Sequence, residues 1–206
     1  MDAELIHDQL KLGLMSPQNL LSGTKLLDES SRNAGDYQDF NYLPFYYHLG
    51  KQLTPKVVYQ IGAKLGLVGA CFLRTCKTVE QWLAMDKDRD LAARLIESNL
   101  KLHTKYCDNT MPGGPIGYMG LSDGMLEMTT PYTREFPGFD VGFLTENFGT
   151  ERNLKYLNFL WKHLVPEGLL VVDYINSDDV FHGFCRVNNR EPVIFNTRYG
   201  VGIIQR

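Results

Sequence analysis

From Thr54-Pro55 to the C-terminus, short apolar runs alternate with amphipathic stretches. The runs are Val57–Ile61, Val79–Met85, Pro115–Met119, Phe139–Leu144, Leu169–Tyr174, Pro192–Phe195 and Val201–Ile204. Between them, helical spacing covers Leu67–Thr75, Leu91–Leu102, Gly124–Met128, Glu151–Leu164 and Asp178–Val187. A continuous apolar run suits a strand buried on both faces, and strands followed by amphipathic helices are the units of a parallel sheet. The clearest helix starts at Glu151, where Leu154, Leu157, Phe159, Leu160, Trp161 and Leu164 give a wide apolar stripe that Pro166-Glu167-Gly168 ends. Only Asn196–Gly200 joins the last two runs, too few residues for a helix, so they are expected to pair antiparallel. The pattern predicts an α/β fold. Its core is a Rossmann-like, seven-stranded, mostly parallel sheet with a C-terminal antiparallel β-hairpin and helices on both faces.

The first fifty residues read differently and are expected to form an N-terminal helical extension over 1–50 beside an α/β domain over 51–206. Leu5, Ile6, Leu10, Leu12 and Leu14, then Leu20, Leu21, Leu26 and Leu27, fit two short helices with a start signal at Ser16-Pro17. Ser30-Ser31-Arg32-Asn33-Ala34-Gly35-Asp36 is polar between apolar helices. It reads either as a solvated loop or as a lid that brings Arg32 and Asp36 over a site. The aromatic cluster Tyr42, Phe45, Tyr46 and Tyr47 reads as core rather than as the cover of a cleft.

Composition narrows the function classes. With 44% hydrophobic and 22% charged residues the chain can bury an ordinary core. A net charge of −3 without a basic run gives no reason to bind a polyanion, so nucleic acid is not an expected partner. Cys71, Cys76, Cys107 and Cys185 lack zinc-site spacing and read as free thiols. His48, His103, His163 and His182 show no ligand spacing either and read as packing or surface residues. No stretch suits a signal peptide or a membrane span, which makes a cytoplasmic protein without membrane contact the expectation.

Candidate chemistry lies at the ends of the strands. Gln60-Ile61-Gly62-Ala63-Lys64-Leu65-Gly66 closes the first strand and turns into a helix, and glycines there let backbone approach a ligand. About twenty residues on, Asp86 ends the second strand, where a carboxylate can accept hydrogen bonds from ribose hydroxyls. The alternatives are a tight turn without a ligand and a helix cap.

These segments resemble the class I S-adenosylmethionine-dependent methyltransferases, and among them the small-molecule O-methyltransferases of the catechol and caffeoyl-coenzyme A type. The likeness runs through Gly120-Leu121-Ser122-Asp123, Phe139–Leu144 and Pro166–Asp173, and covers roughly Pro55 to Arg206 as pattern rather than close identity. It implies S-adenosylmethionine as cofactor. Gly62 and Gly66 would border its methionine part, Gln60 its ammonium group and Asp86 its ribose, with Ser122 and Asp123 at the adenine.

The chain departs from the family at several positions. Gln60 stands where the family has an acid, which removes the charge assistance of a hydrogen bond to the ammonium. Thr145 and Tyr174 fall at positions where metal-dependent members place hard oxygen ligands, and Phe148 falls where a catalytic lysine is expected. A divalent metal is therefore left open but not favoured, and no metal ligand is assigned. Glu146 and Asp173, shifted by one residue, could form a carboxylate pair; with Asp36 they are the candidates for removing or masking an acceptor's proton.

The expected function is methyl transfer to a small molecule, at oxygen. A catalytically degenerate domain serving as a binding or assembly module is the alternative, and other nucleoside chemistry in the same cleft a third. A homodimer is open, and Arg198 in the hairpin turn could serve a dimer contact, an anionic substrate or solvent.

Overall fold

The computed structural model describes residues 42–63, 66–86, 116–120, 138–197 and 199–206, with backbone alone for Asp86 and 116–120. The described helices are α1 (Leu43–Gln52), α2 (Leu67–Leu73), α3 (Thr150–His163) and α4 (Val180–Val187). The strands are β1 (Val57–Ile61), β2 (Gln81–Asp86), β3 (Ile116–Gly120), β4 (Phe139–Leu144), β5 (Leu164–Asp173), β6 (Val193–Phe195) and β7 (Val201–Gln205). The expected helices before residue 42, Leu91–Leu102 and Gly124–Met128 lie outside the described residues, as do Asp36, Ser122, Asp123, His103, Cys107 and Arg198.

The strands form one mixed sheet in the order β3-β2-β1-β4-β5-β7-β6. The five from β3 to β5 run parallel, and β7 pairs antiparallel with both β5 and β6. Alternation along each strand divides the interior into two cores, because successive side chains point to opposite faces. Val58, Trp82, Ala84, Val141, Phe143, Val171 and Ile203 face one side with α1 and α2. Tyr59, Ile61, Met85, Leu144, Leu170, Val172 and Ile204 face the other with α3 and α4. Helices thus cover both faces, as the strand–helix alternation predicts.

Local sequence explains most boundaries. Pro44 sits at the start of α1, where its missing N–H costs nothing, and Leu53 ends the helix in extended backbone before Thr54-Pro55. The residues Tyr42, Phe45 and Tyr46 are buried in the first core, as expected of the aromatic cluster, while Tyr47 is half-buried beside it. Glu151 in the first turn of α3 and Lys162 and His163 in its last turn complement the helix dipole.

Two details differ from the sequence reading. The inward face of α3 is Asn153, Tyr156, Leu157 and Leu160, whereas Leu154 is 44% exposed. Spacing of i, i+3, i+4 and i+7 selects that face, and Asn153 is accepted there because its polar atoms are paired. Second, Pro166-Glu167-Gly168 does not end the helix: β5 begins at Leu164 and runs through it. Pairing shifts from Phe139↔Leu164 to Val141↔Leu169, an irregularity that absorbs the extra residues, with Glu167 at φ 65°. Backbone bonds from Glu167 N to Arg206 O and from Arg206 N to Gly168 O hold this stretch to the chain's end.

Candidate functional site

The carboxyl ends of β1, β2, β4 and β5 meet around the turn after β1. Parallel strands there end in backbone groups without sheet partners, which is where ligands of such sheets sit. Gly62 N and Ala63 N both donate to Met85 O, at 2.8 and 3.1 Å, which folds the turn onto the end of β2. Gly66 N donates to Ala63 O at 2.7 Å, and Gly66, at φ 74°, is the N-cap of α2.

Gly62 also has φ 84°, and a Cβ placed on it would meet Glu146 Cβ at 2.6 Å. Its hydrogen side is therefore filled by the chain after β4, and both backbone geometry and close packing demand glycine. Asp86 is the last residue of β2 and pairs with Gly120; Met85 before it pairs with Ile61. By register, the Asp86 backbone stands one residue beyond the end of β1, level with the glycine turn.

Gln60 and Thr145 form a closed polar relay on the α1–α2 face. Both are buried, Gln60 at 0% exposure. Gln60 Nε2 donates to Thr145 Oγ1 at 2.9 Å, and Thr145 Oγ1 donates to Gly62 O at 2.7 Å. Since the threonine proton points to Gly62 O, the hydroxyl must accept from the amide, which fixes Nε2 toward Thr145 and Oε1 away from it. Gln60 Oε1 has no hydrogen-bond partner among the described residues.

Asp173 closes β5 opposite Val201, is 3% exposed, and accepts from Tyr174 N at 2.9 Å through Oδ1. Tyr174 takes φ 62° and stacks on Tyr199 at 4.7 Å. Over this edge lies Tyr46 of α1, fully buried and edge-on to Phe143 at 5.7 Å. Burial, then the nearby charge of Asp173, hold the Tyr46 phenol well above the usual tyrosine range, so it stays a neutral donor. Its hydroxyl too lacks a hydrogen-bond partner among the described residues. The residue types in the sequence mark Tyr46 as core, and only its place against β4 and β5 reveals this polar end.

Glu146 and Asp173 line one small cavity with Asn153, Tyr174 and Asp178. Its volume of about 10 Å³ admits at most one water, so an acceptor molecule does not fit between them there. The wall is rigidly tied: Asn153 Nδ2 donates to Asn147 Oδ1 at 2.9 Å and Asn147 Nδ2 to Ser177 Oγ at 2.9 Å, joining the loops after β4 and β5. Phe148, at the expected lysine position, packs edge-on against Tyr156 at 5.0 Å and belongs to the apolar face.

Thr145 and Tyr174, at the ends of β4 and β5, offer a divalent cation neither a carboxylate nor an amide. The Thr145 hydroxyl is committed as donor and acceptor, and Tyr174 offers a stacked phenol in place of a carboxylate or amide. Among the described residues, no group of three His, Cys, Asp or Glu side chains could hold a metal ion. The Cys71 and Cys185 thiols are buried and pushed up to about 12 and about 11 by that burial, which disfavours their reactive thiolate form. No helix among the described residues is long and apolar enough to cross a membrane.

No protein-family model and no curated protein matches the chain. Solved structures do. The O-methyltransferase TomG from Streptomyces achromogenes, in complex with S-adenosylmethionine, superposes with a TM-score of 0.64 at 13% identity, covering 100% of this chain and 98% of that one. An O-methyltransferase from Bacillus cereus with S-adenosylhomocysteine gives 0.60 at 12% identity over 98% and 97%. The S-adenosylhomocysteine-bound methyltransferase of Podospora anserina gives 0.60 at 10% identity over 91% and 92%. The likeness spans nearly whole chains in each case and shows that this chain shares the fold of these methyltransferase structures.

Proposed function

We propose that the chain is an S-adenosylmethionine-dependent methyltransferase that acts on a small-molecule acceptor at oxygen. The observation that carries this reading is the register at the carboxyl edge, which sets the Asp86 backbone level with a glycine turn held against β2. The bound ligands of the similar structures support it.

In this reading the Gly62–Gly66 turn borders the cofactor's methionine part, Asp86 accepts from its ribose hydroxyls, and Ser122 and Asp123 lie at the adenine. Bound there, S-adenosylmethionine supplies an electrophilic methyl group. The chain's own part is to align the acceptor oxygen and receive its proton. Asp173, Glu146 and Asp36 are the candidates for that role, Asp173 reaching it from its buried position at the end of β5 only if the small cavity it shares with Glu146 opens to the acceptor. No step is assigned to a metal. We assign the catalytic unit to the α/β domain, read at 51–206 and including α1, which crosses that bound and packs in its core, with the residues before α1 as an added element, and take the setting to be cytoplasmic without nucleic acid or membrane as partner. A homodimer is compatible with this reading.

Calorimetry with S-adenosylmethionine and S-adenosylhomocysteine, with and without magnesium, tests the reading. Saturable binding that magnesium leaves unchanged is expected; no binding of either ligand overturns it. Binding without turnover over a broad acceptor panel would favour the degenerate module, for which the apolar packing of Phe148 is the specific observation.

A further inference from the structure

Three of the four exposed large apolar side chains among the described residues lie on one flank of the molecule: Val187 at the end of α4, 83% exposed, and Val193 and Ile194 of β6, each 38% exposed. β6 is the last strand of the sheet and pairs with β7 alone among the described residues. An edge strand presents backbone N–H and C=O groups that can join another strand, and chains guard such edges with charged or proline residues. Val193-Ile194-Phe195 holds neither. Exposed apolar side chains gathered beside an unguarded edge mark an interaction surface.

The charges beside it define the partner. An open cleft of about 700 Å³ runs between α4 and the start of β6, lined by the exposed side chains of Asp179, Arg186, Arg190 and Glu191. None of the four forms an ion pair with another described residue, and Arg190 lies over the Trp161 ring at 5.8 Å. The cleft thus holds two cations and two anions that do not cancel within the chain. A purely acidic partner would meet Asp179 and Glu191 as like charge, and a purely basic one Arg186 and Arg190. A surface that carries both signs is complementary to itself. In a twofold contact residue i meets j and j meets i, so each acid can face a base of the other copy.

We propose that the flank formed by β6 and α4 binds a second copy of this chain, the two β6 edges joining antiparallel about a twofold axis. Edge strands of twofold-related copies run antiparallel where they meet, a pairing that needs no crossover. Pro192, directly before β6, lacks an N–H and stops the ladder there, so the strand contact is short. The apolar side chains of Val187, Val193 and Ile194 and the four charges of the cleft supply the rest of the contact. The proposal goes beyond the methyltransferase reading and does not depend on it.

Sedimentation velocity of the full chain tests this. The wild type should sediment at twice the chain mass, and Val193→Lys, which puts a charge on the open edge, should raise the dissociation constant about tenfold or more. Two double variants test the cleft: Asp179→Arg with Glu191→Arg makes it wholly basic, and Arg186→Glu with Arg190→Glu wholly acidic. Each should be monomeric alone, and an equimolar mixture of the two should recover the dimer. All four positions are exposed, so the Tm of both should stay close to that of the wild type. Ile194→Lys takes the place of Val193→Lys if that variant loses its fold. A monomeric wild type overturns the proposal. So does a dimer that the lysine and both double variants leave intact, because another face then holds it. Folded double variants that stay monomeric when mixed overturn it as well, since the charges then do not pair across copies.

Discussion

The two faces of the sheet solve the same burial problem in different ways. On the α3–α4 face Asn153, a buried polar side chain of α3, is fully engaged: Oδ1 accepts from Phe148 N at 3.0 Å, and Nδ2 reaches Asn147 and Asp178. On the α1–α2 face, Gln60 and Tyr46 each carry a buried polar atom with no partner among the described residues. A completed hydrogen-bond set fixes loops and asks nothing of a ligand, whereas an incomplete one at the carboxyl edge costs stability until something binds. Among the described residues the first face closes its helix-borne polar group, and the second leaves polar atoms unsatisfied.

That contrast can be broken by experiment. Leu160→Ala, in the centre of α3 at 0% exposure, should cost about 2–5 kcal/mol of stability by leaving a cavity. Chemical denaturation measures the loss, and S-adenosylhomocysteine affinity of the folded fraction should not move; a matching loss of affinity would show that both faces serve the site. Gly62→Ala should cost about 2–4 kcal/mol, through strain at positive φ and the clash with Glu146, and should weaken the ligand as well. A stable, fully binding variant would mean that the turn gives way easily. Asp86→Ala should leave stability nearly intact and weaken S-adenosylhomocysteine by about 1–3 kcal/mol in calorimetry; unchanged affinity would remove Asp86 from the ribose.

The smallest effect concerns pH. Burial, then Lys51, lower the His48 pKa from 6.5, so the fold favours the neutral ring. The folded chain resists a proton that the unfolded chain accepts, so the contribution of His48 to stability is present above about 6.5 and lost as pH falls below it. His48→Gln should flatten the fall in denaturation midpoint below pH 6.5; the same slope in both proteins would place the effect elsewhere.

Strand positions were legible because apolar runs at the period of a buried sheet leave few alternatives: Val57–Ile61 and Phe139–Leu144 appear as read. The start of β5 was not, since Pro166-Glu167-Gly168 is ordinary helix-stop chemistry and only the pairing with β4 turns it into strand. The glycine turn after β1 and the place of Asp86 at the end of β2 were legible from spacing. The relay was not, because Gln60 and Thr145 are 85 residues apart and each looks like a loss when read alone. Their side chains compensate one another, an amide and a hydroxyl satisfied together.

By itself the sequence determined the alternation of elements, the burial of the aromatic cluster and the placing of glycine and acid at strand ends. These are local properties, set by side-chain period and backbone sterics within a few residues. Only the tertiary structure decided that Gly62 is closed by Glu146, that Thr145 is spent on Gln60 and Gly62, and that Tyr46 brings over the edge of β4 a hydroxyl with no partner among the described residues. Whether a polar atom is satisfied depends on neighbours distant along the chain, and these meet only when the sheet assembles.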